Sequence, residues 1–199
     1  VAGSAVSPDG RFAYVYSENS AMVAHYRISQ AGDLTYVSAY STYTTNCTDM
    51  AFAPSGRFAY LTCGSSISTF EVSITGALTR IAGAEVSTSG SWGLAVAPDG
   101  QTLFASDASS SGIRRFSLNA TTGRPTLLGT TSTGTYPRDI AISPDGRFLY
   151  VASSSSTRID QFQTGSGGTL TALSPASVST SVSGRIGRRH TFDWPKATV

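Results

Sequence analysis

Side chains able to do acid–base or nucleophilic chemistry are scarce in this chain of 199 residues, where charged residues make up 13% and His occurs twice. Those that stand out fall in short steps that recur along the sequence: Ala2-Gly3, Thr48-Asp49, Trp92-Gly93 and Arg138-Asp139. Asp49 and Asp139 hold equivalent places, Arg138 stands beside one of them, and Trp92 offers a flat face. A carboxylate can take a proton from water, a guanidinium can hold a carboxylate or phosphate through two parallel bonds, and an indole can stack on a ring. The same two Asp residues have a plainer reading, in which they bond nearby backbone N–H groups and shape their loops.

Other chemistries are poorly provided for. His25 falls in a segment far from these steps and reads as an exposed strand residue, and His190 lies near the end of the chain, so a Ser-His-Asp triad is not expected. No His/Cys set, no Asp-x-Asp-x-Asp loop and no Gly-rich loop opening a helix is present, so neither metal nor cofactor is expected. Cys47 and Cys63 lie at nearly equal distances from the centre of an intervening turn, which sets them opposite each other across a hairpin. They form either a disulfide or two partly buried thiols. Pairing is the preferred reading and points to an oxidising, extracytoplasmic or secreted setting, as does a Ser/Thr-rich, charge-poor composition.

The net charge of +2 is unevenly placed. Residues 1–184 hold ten Arg against eleven Asp or Glu, whereas residues 185–199 hold Arg185, Arg188, Arg189 and Lys196 against Asp193. No basic stripe runs along the body of the chain, which argues against nucleic acid as a partner. No apolar run approaches the roughly 18 residues that a spanning helix needs.

What positions the candidate steps is a repeat. Pro8-Asp9-Gly10, Pro54-Ser55-Gly56, Pro98-Asp99-Gly100 and Pro144-Asp145-Gly146 place Pro at intervals of 46, 44 and 46 residues. A period of about 45 is that of a four-stranded propeller blade. Before each turn runs a strand with small alternate residues (Ala5 and Ser7, Ala51 and Ala53, Ala95 and Ala97, Ala141 and Ser143), suited to crowding round an axis. After it comes a strand with an aromatic at a matched place: Tyr14, Tyr60, Phe104 and Tyr150. These aromatics are expected to fill the space between blades. A third strand repeats an aliphatic-x-x-aromatic pattern (Val23 and Tyr26, Ile67 and Phe70, Ile113 and Phe116, Ile159 and Phe162). A fourth opens on Gly-x-Leu-Thr at Gly32, Gly76 and Gly168, with a degenerate copy at Gly123. The expectation is an all-β propeller of four-stranded antiparallel blades, about four of them, over residues 1–45, 46–90, 91–135 and 136–184. Residues 185–199 break the pattern and read either as an artificial or frame-shifted end or as a basic tail that docks on a partner. The candidate steps enter the first strand of each blade, at one mouth of the central channel.

Ser143-Pro-Asp-Gly-Arg-Phe-Leu-Tyr-Val151 with Gly-Gly-Thr-Leu-Thr171, and Ser7-Pro-Asp-Gly-Arg-Phe-Ala-Tyr-Val15, resemble the lactonase (6-phosphogluconolactonase-like) seven-bladed propeller family and its YVTN-repeat relatives. The resemblance covers about residues 1–180 and implies seven blades, so the four here read as part of a ring in a longer chain, in preference to a closed four-bladed ring or assembly with a second chain. It further implies a hydrolase acting on a sugar lactone at the channel mouth, with Asp49 or Asp139 as base and Arg138 and Trp92 binding substrate. The alternative is a noncatalytic extracytoplasmic propeller that binds a protein or glycan. An open arc of blades also exposes apolar edges through which chains could associate.

Overall fold

The computed structural model describes residues 3–180; the basic stretch 185–199 lies outside the described residues. Four antiparallel sheets follow one another along the chain, each built from consecutive strands. Blade 1 comprises β1 (Gly3–Val6), β2 (Phe12–Tyr16), β3 (Met22–Ile28) and β4 (Leu34–Ser41). Blade 2 comprises β5 (Cys47–Phe52), β6 (Phe58–Cys63), β7 (Ser66–Val72) and β8 (Leu78–Arg80), and the short β9 (Val86–Ser87) also pairs with β7. Blade 3 comprises β10 (Leu94–Val96), β11 (Thr102–Asp107), β12 (Gly112–Leu118) and β13 (Pro125–Ser132). Blade 4 comprises β14 (Pro137–Ile142), β15 (Phe148–Ser153), β16 (Arg158–Thr164) and β17 (Leu170–Ser179). Among the described residues no helix is long and apolar enough to cross a membrane.

Each Pro-(Asp/Ser)-Gly step closes the hairpin between a blade's first and second strands. The Gly10 N–H donates to the Ser7 carbonyl at 2.9 Å, and Gly56, Gly100 and Gly146 repeat the bond to Ala53, Ala97 and Ser143 at 2.8 Å. Pro occupies the second turn position, where its fixed φ fits and its missing N–H is not needed. Asp9 then locks the turn, accepting the Ser7 hydroxyl at 2.6 Å and the Arg11 N–H at 3.1 Å. Those bonds, the Ser7 hydroxyl foremost, pull the Asp9 pKa down to about 2.

The core lies in the seams between blades. One cluster joins Phe12, Tyr14, Tyr16 and Val23 of blade 1 to Met50, Leu61, Phe70 and Leu78 of blade 2. Two more repeat this between blades 2 and 3 (Phe58, Tyr60 and Ile67 with Leu94, Leu103 and Phe116) and between blades 3 and 4 (Phe104 and Ile113 with Ile140, Leu149 and Phe162). Each such side chain contributes roughly 1.5–3 kcal/mol through burial, so the seams dominate stability.

The second-strand aromatics sit in these seams, with Tyr14, Tyr60 and Phe104 fully covered. The Tyr14 hydroxyl donates to the Gly76 carbonyl at 2.7 Å and the Tyr60 hydroxyl to the Gly123 carbonyl at 3.0 Å, both in the turn between the third and fourth strands of the next blade. Phe104 has no hydroxyl, and there Arg115 Nη1 reaches the Gly168 carbonyl at 3.2 Å. Gly123, degenerate in its sequence surroundings, therefore does the same work as Gly76. Tyr150 is half-buried, because no later blade among the described residues covers its face.

His25 corrects the expectation of an exposed strand residue: its relative exposure is 0%. The Gly76 turn of blade 2 closes over it, so a Cβ there would fall 2.6 Å from His25 Nε2 and 2.7 Å from Phe12 Cγ. The imidazole lies parallel to the Tyr14 ring at 5.1 Å, with the Tyr40 hydroxyl 3.3 Å from Nδ1. Burial first, and the Arg27 charge second, lower its pKa below 6.5.

Candidate functional site

Opposite the Pro-Asp-Gly turns, the innermost strands begin at the steps Thr48-Asp49, Trp92-Gly93 and Arg138-Asp139. Two of these strands start with an irregularity in pairing. Cys47 pairs with Cys63 and Asp49 with Thr62, so Thr48 is an extra residue; Pro137 pairs with Ser153 and Asp139 with Ala152, so Arg138 is another. A bulge of this kind bends the strand and re-aims its side chain.

The Arg138 guanidinium lies over its neighbour from blade 3, its carbon 3.9 Å from the centre of the Trp92 ring. Its Nε donates to Ser154 Oγ at 3.4 Å. The two blades approach closely here, since a Cβ on Gly93 would fall 2.5 Å from the Arg138 carbonyl oxygen. Ser106 is buried beneath them, accepting the Trp92 and Gly93 N–H groups at 3.1 and 2.8 Å and donating to the Arg138 carbonyl at 3.3 Å. A hydroxyl so engaged is a brace, not a nucleophile.

The two carboxylates have different surroundings. Asp49 Oδ2 accepts the Leu94 N–H of blade 3 at 2.8 Å, while Oδ1 accepts its own neighbour Met50 N–H at 2.9 Å and the Tyr16 hydroxyl of blade 1 at 3.3 Å. It thus connects three blades. Asp139 Oδ1 accepts the Ile140 N–H at 3.0 Å, the counterpart of the Met50 bond. Thr48 Oγ1 bonds the Thr62 hydroxyl and donates to the Ser91 carbonyl at 3.1 Å, a further tie to blade 3. Trp92, Arg138 and Asp139 are brought together at the seam of blades 3 and 4, and Asp49 lies at the seam of blades 2 and 3.

Cys47 and Cys63 are joined by a disulfide that closes the β5–β6 hairpin beside this mouth. Sequence reasoning overlooked Tyr136 and Ser154, which flank Arg138; the signal was available, because Tyr136 aligns with Asn46 and Gly90 in the other repeats. At the other end of the strands, a cavity of about 430 Å³ lies between the turns of blades 1 and 2, lined by Pro8, Pro54 and Ile74 among others. Its cations are already paired on the surface, Arg11 with Asp9 at 2.7 Å and Arg57 with Glu71 at 3.5 Å, which leaves the mouth as the stronger candidate.

Four consecutive radial sheets, with their polar loops gathered at one end of the inner strands, define the chain as blades of a β-propeller. Residues 2–92 and 49–183 match the model of the lactonase seven-bladed β-propeller family, and the chain belongs to that family. Solved structures agree in fold. A candidate 6-phosphogluconolactonase from Bacteroides fragilis superposes with a TM-score of 0.79 at 23% identity, covering 89% of this chain and 54% of its own. The periplasmic gluconolactonase of Pseudomonas aeruginosa gives 0.74 at 24% identity, over 89% of this chain and 53% of its own. A protein from Lactobacillus plantarum gives 0.79 at 24%, over 89% and 55%. The chain therefore spans about half the length of these structures. No curated protein matches it significantly.

Proposed function

We propose that this chain supplies part of the active site of a sugar-lactone hydrolase, with the blade 3–4 mouth as the substrate-binding region. The carrying observation is the Arg138 guanidinium held over the Trp92 ring, a cation fixed on an aromatic face, with Asp139 the next residue in the chain. Arg138 holds a carboxylate or phosphate of the substrate, and the stacked arrangement limits how far the guanidinium must be ordered on binding. Asp139 takes a proton from water as its oxygen attacks the lactone carbonyl carbon. The ring C–O bond then breaks, and the leaving oxygen receives a proton to give the open hydroxy acid. Asp49 is the alternative base, its oxygens accepting from Tyr16, Met50 and Leu94. Membership of the lactonase family and the fold shared with the Pseudomonas periplasmic gluconolactonase support the substrate class. The Cys47–Cys63 bond supports an oxidising, extracytoplasmic setting.

A second reading, a noncatalytic propeller that binds a glycan or protein at the same mouth, is favoured by the structural engagement of Asp49 and Ser106. Hydrolysis of glucono-δ-lactone and its 6-phosphate separates the two. Turnover that disappears in Asp139→Asn, with a raised KM in Arg138→Ala, supports the hydrolase; ligand binding without turnover in the wild-type protein supports the second reading.

A further inference from the structure

Three blades make the same left-handed step just before their inner strands. Asn46 has φ +60°, Gly90 +100° and Tyr136 +56°. In each, the carbonyl of that residue is held by the N–H at the far side of the hairpin: Gly64 to Asn46 at 3.1 Å, Ala108 to Gly90 at 3.2 Å and Ser154 to Tyr136 at 3.0 Å. Asn and Gly enter this conformation readily, whereas an aromatic residue does so at a steric cost. The Tyr136 side chain is outward, the residue being 55% exposed, and among the described residues its ring meets no aromatic or cationic partner. Tyr43, also left-handed at +62°, differs in that its ring carries the Arg80 guanidinium at 4.7 Å.

Blade 4 departs from the other two at linked positions. Ser154 replaces Gly64 and Ala108, and its hydroxyl donates to the Tyr136 carbonyl at 3.3 Å while accepting Arg138 Nε at 3.4 Å. A single hydroxyl therefore fixes the Tyr136 backbone relative to the guanidinium that lies on Trp92. The Nη groups of Arg138 make no hydrogen bond among the described residues.

We propose that Tyr136 is a wall on which the ligand's ring stacks, and that Tyr136 and Arg138 together select a sugar-type ring bearing a carboxylate or phosphate. The inference rests on the mouth being the binding site proposed above, but it does not require hydrolysis. The ring face packs on Tyr136 while the anionic group takes the Arg138 Nη donors.

Titration calorimetry with glucuronate and glucose 6-phosphate, pyranose rings bearing a carboxylate and a phosphate, against glucose as a neutral probe, tests it. Tyr136→Asn, which installs the residue of blade 2, is expected to weaken glucuronate binding by about tenfold. Tyr136→Phe is expected to bind as the wild type does, and the thermal midpoint of Tyr136→Asn to equal or exceed it. Arg138→Ala is expected to abolish the preference for the anionic probes over glucose. Wild-type affinity in Tyr136→Asn overturns the proposal, as does a lowered midpoint in that variant or a wild-type protein that binds neither anionic probe. Lactone turnover measured in parallel keeps the two readings apart. Unchanged KM in Tyr136→Asn with turnover intact sinks the stacking role alone, whereas Tyr136-dependent glucuronate binding without turnover sinks the hydrolase reading alone.

Discussion

The carboxylate of Asp49 accepts the backbone N–H of Leu94, in the inner strand of the following blade, at 2.8 Å. A residue whose type suggests an acid–base role is thereby a clasp between two repeats. Its other oxygen, with Met50 N–H and the Tyr16 hydroxyl, draws in the preceding blade as well.

Asp49→Ala therefore leaves the Leu94 N–H without its acceptor. A loss of about 1–3 kcal/mol in unfolding free energy is expected, read from the urea midpoint, because an unmet donor retains its desolvation cost. A variant as stable as the wild type would show that the clasp contributes nothing.

Removing the disulfide acts through the unfolded chain. Cys47 and Cys63 are 16 residues apart in sequence, and a closed loop of that size contributes about 3 kcal/mol in the chain-entropy account. The Cys47→Ala/Cys63→Ala double variant should melt at a lower temperature than the wild type. Reductant should lower the wild-type midpoint and leave that of the double variant unmoved.

Two glycines with similar backbone offer a matched comparison. Gly76 (φ +80°) faces His25 and Phe12 at under 3 Å from a built Cβ, while Gly32 (φ +91°) faces nothing within 4 Å. Gly32→Ala should cost about 1–2 kcal/mol, the backbone penalty alone. Gly76→Ala adds overpacking of the blade 1–2 seam and should cost roughly 2–5 kcal/mol. Equal losses in chemical denaturation would refute the seam's role.

Stability should also fall on acidification through the titration of His25. Its folded pKa lies below the ordinary 6.5, because burial disfavours the imidazolium and Arg27 repels it. The unfolded chain then binds the extra proton first, so the stabilisation is complete above about pH 6.5 and declines below it until the folded pKa is reached. His25→Phe should flatten the dependence of the urea midpoint between pH 7.5 and 5. An unchanged slope would place the effect elsewhere.

Local order is legible in the residues themselves. Pro-Asp-Gly hairpins depend on bonds between residues three apart, and the strands flanking them alternate within a few residues, so their period of about 45 announces four-stranded blades directly. The facing of Cys47 and Cys63 follows from the same hairpin arithmetic. Roles that arise between repeats are not legible in that way. His25 reads as exposed from its strand, yet Gly76, on a turn of the next blade, covers it. Asp49 reads either as a base or as a carboxylate bonding nearby backbone N–H groups, and that one of those groups is Leu94 of the next blade leaves no residue-type signal. Arg138 reaches Trp92 through a bulge that shifts the pairing by one residue. The sequence by itself determined hairpins, blade type and family; the tertiary structure alone decided which polar groups the blade seams consume and which they present at the mouth.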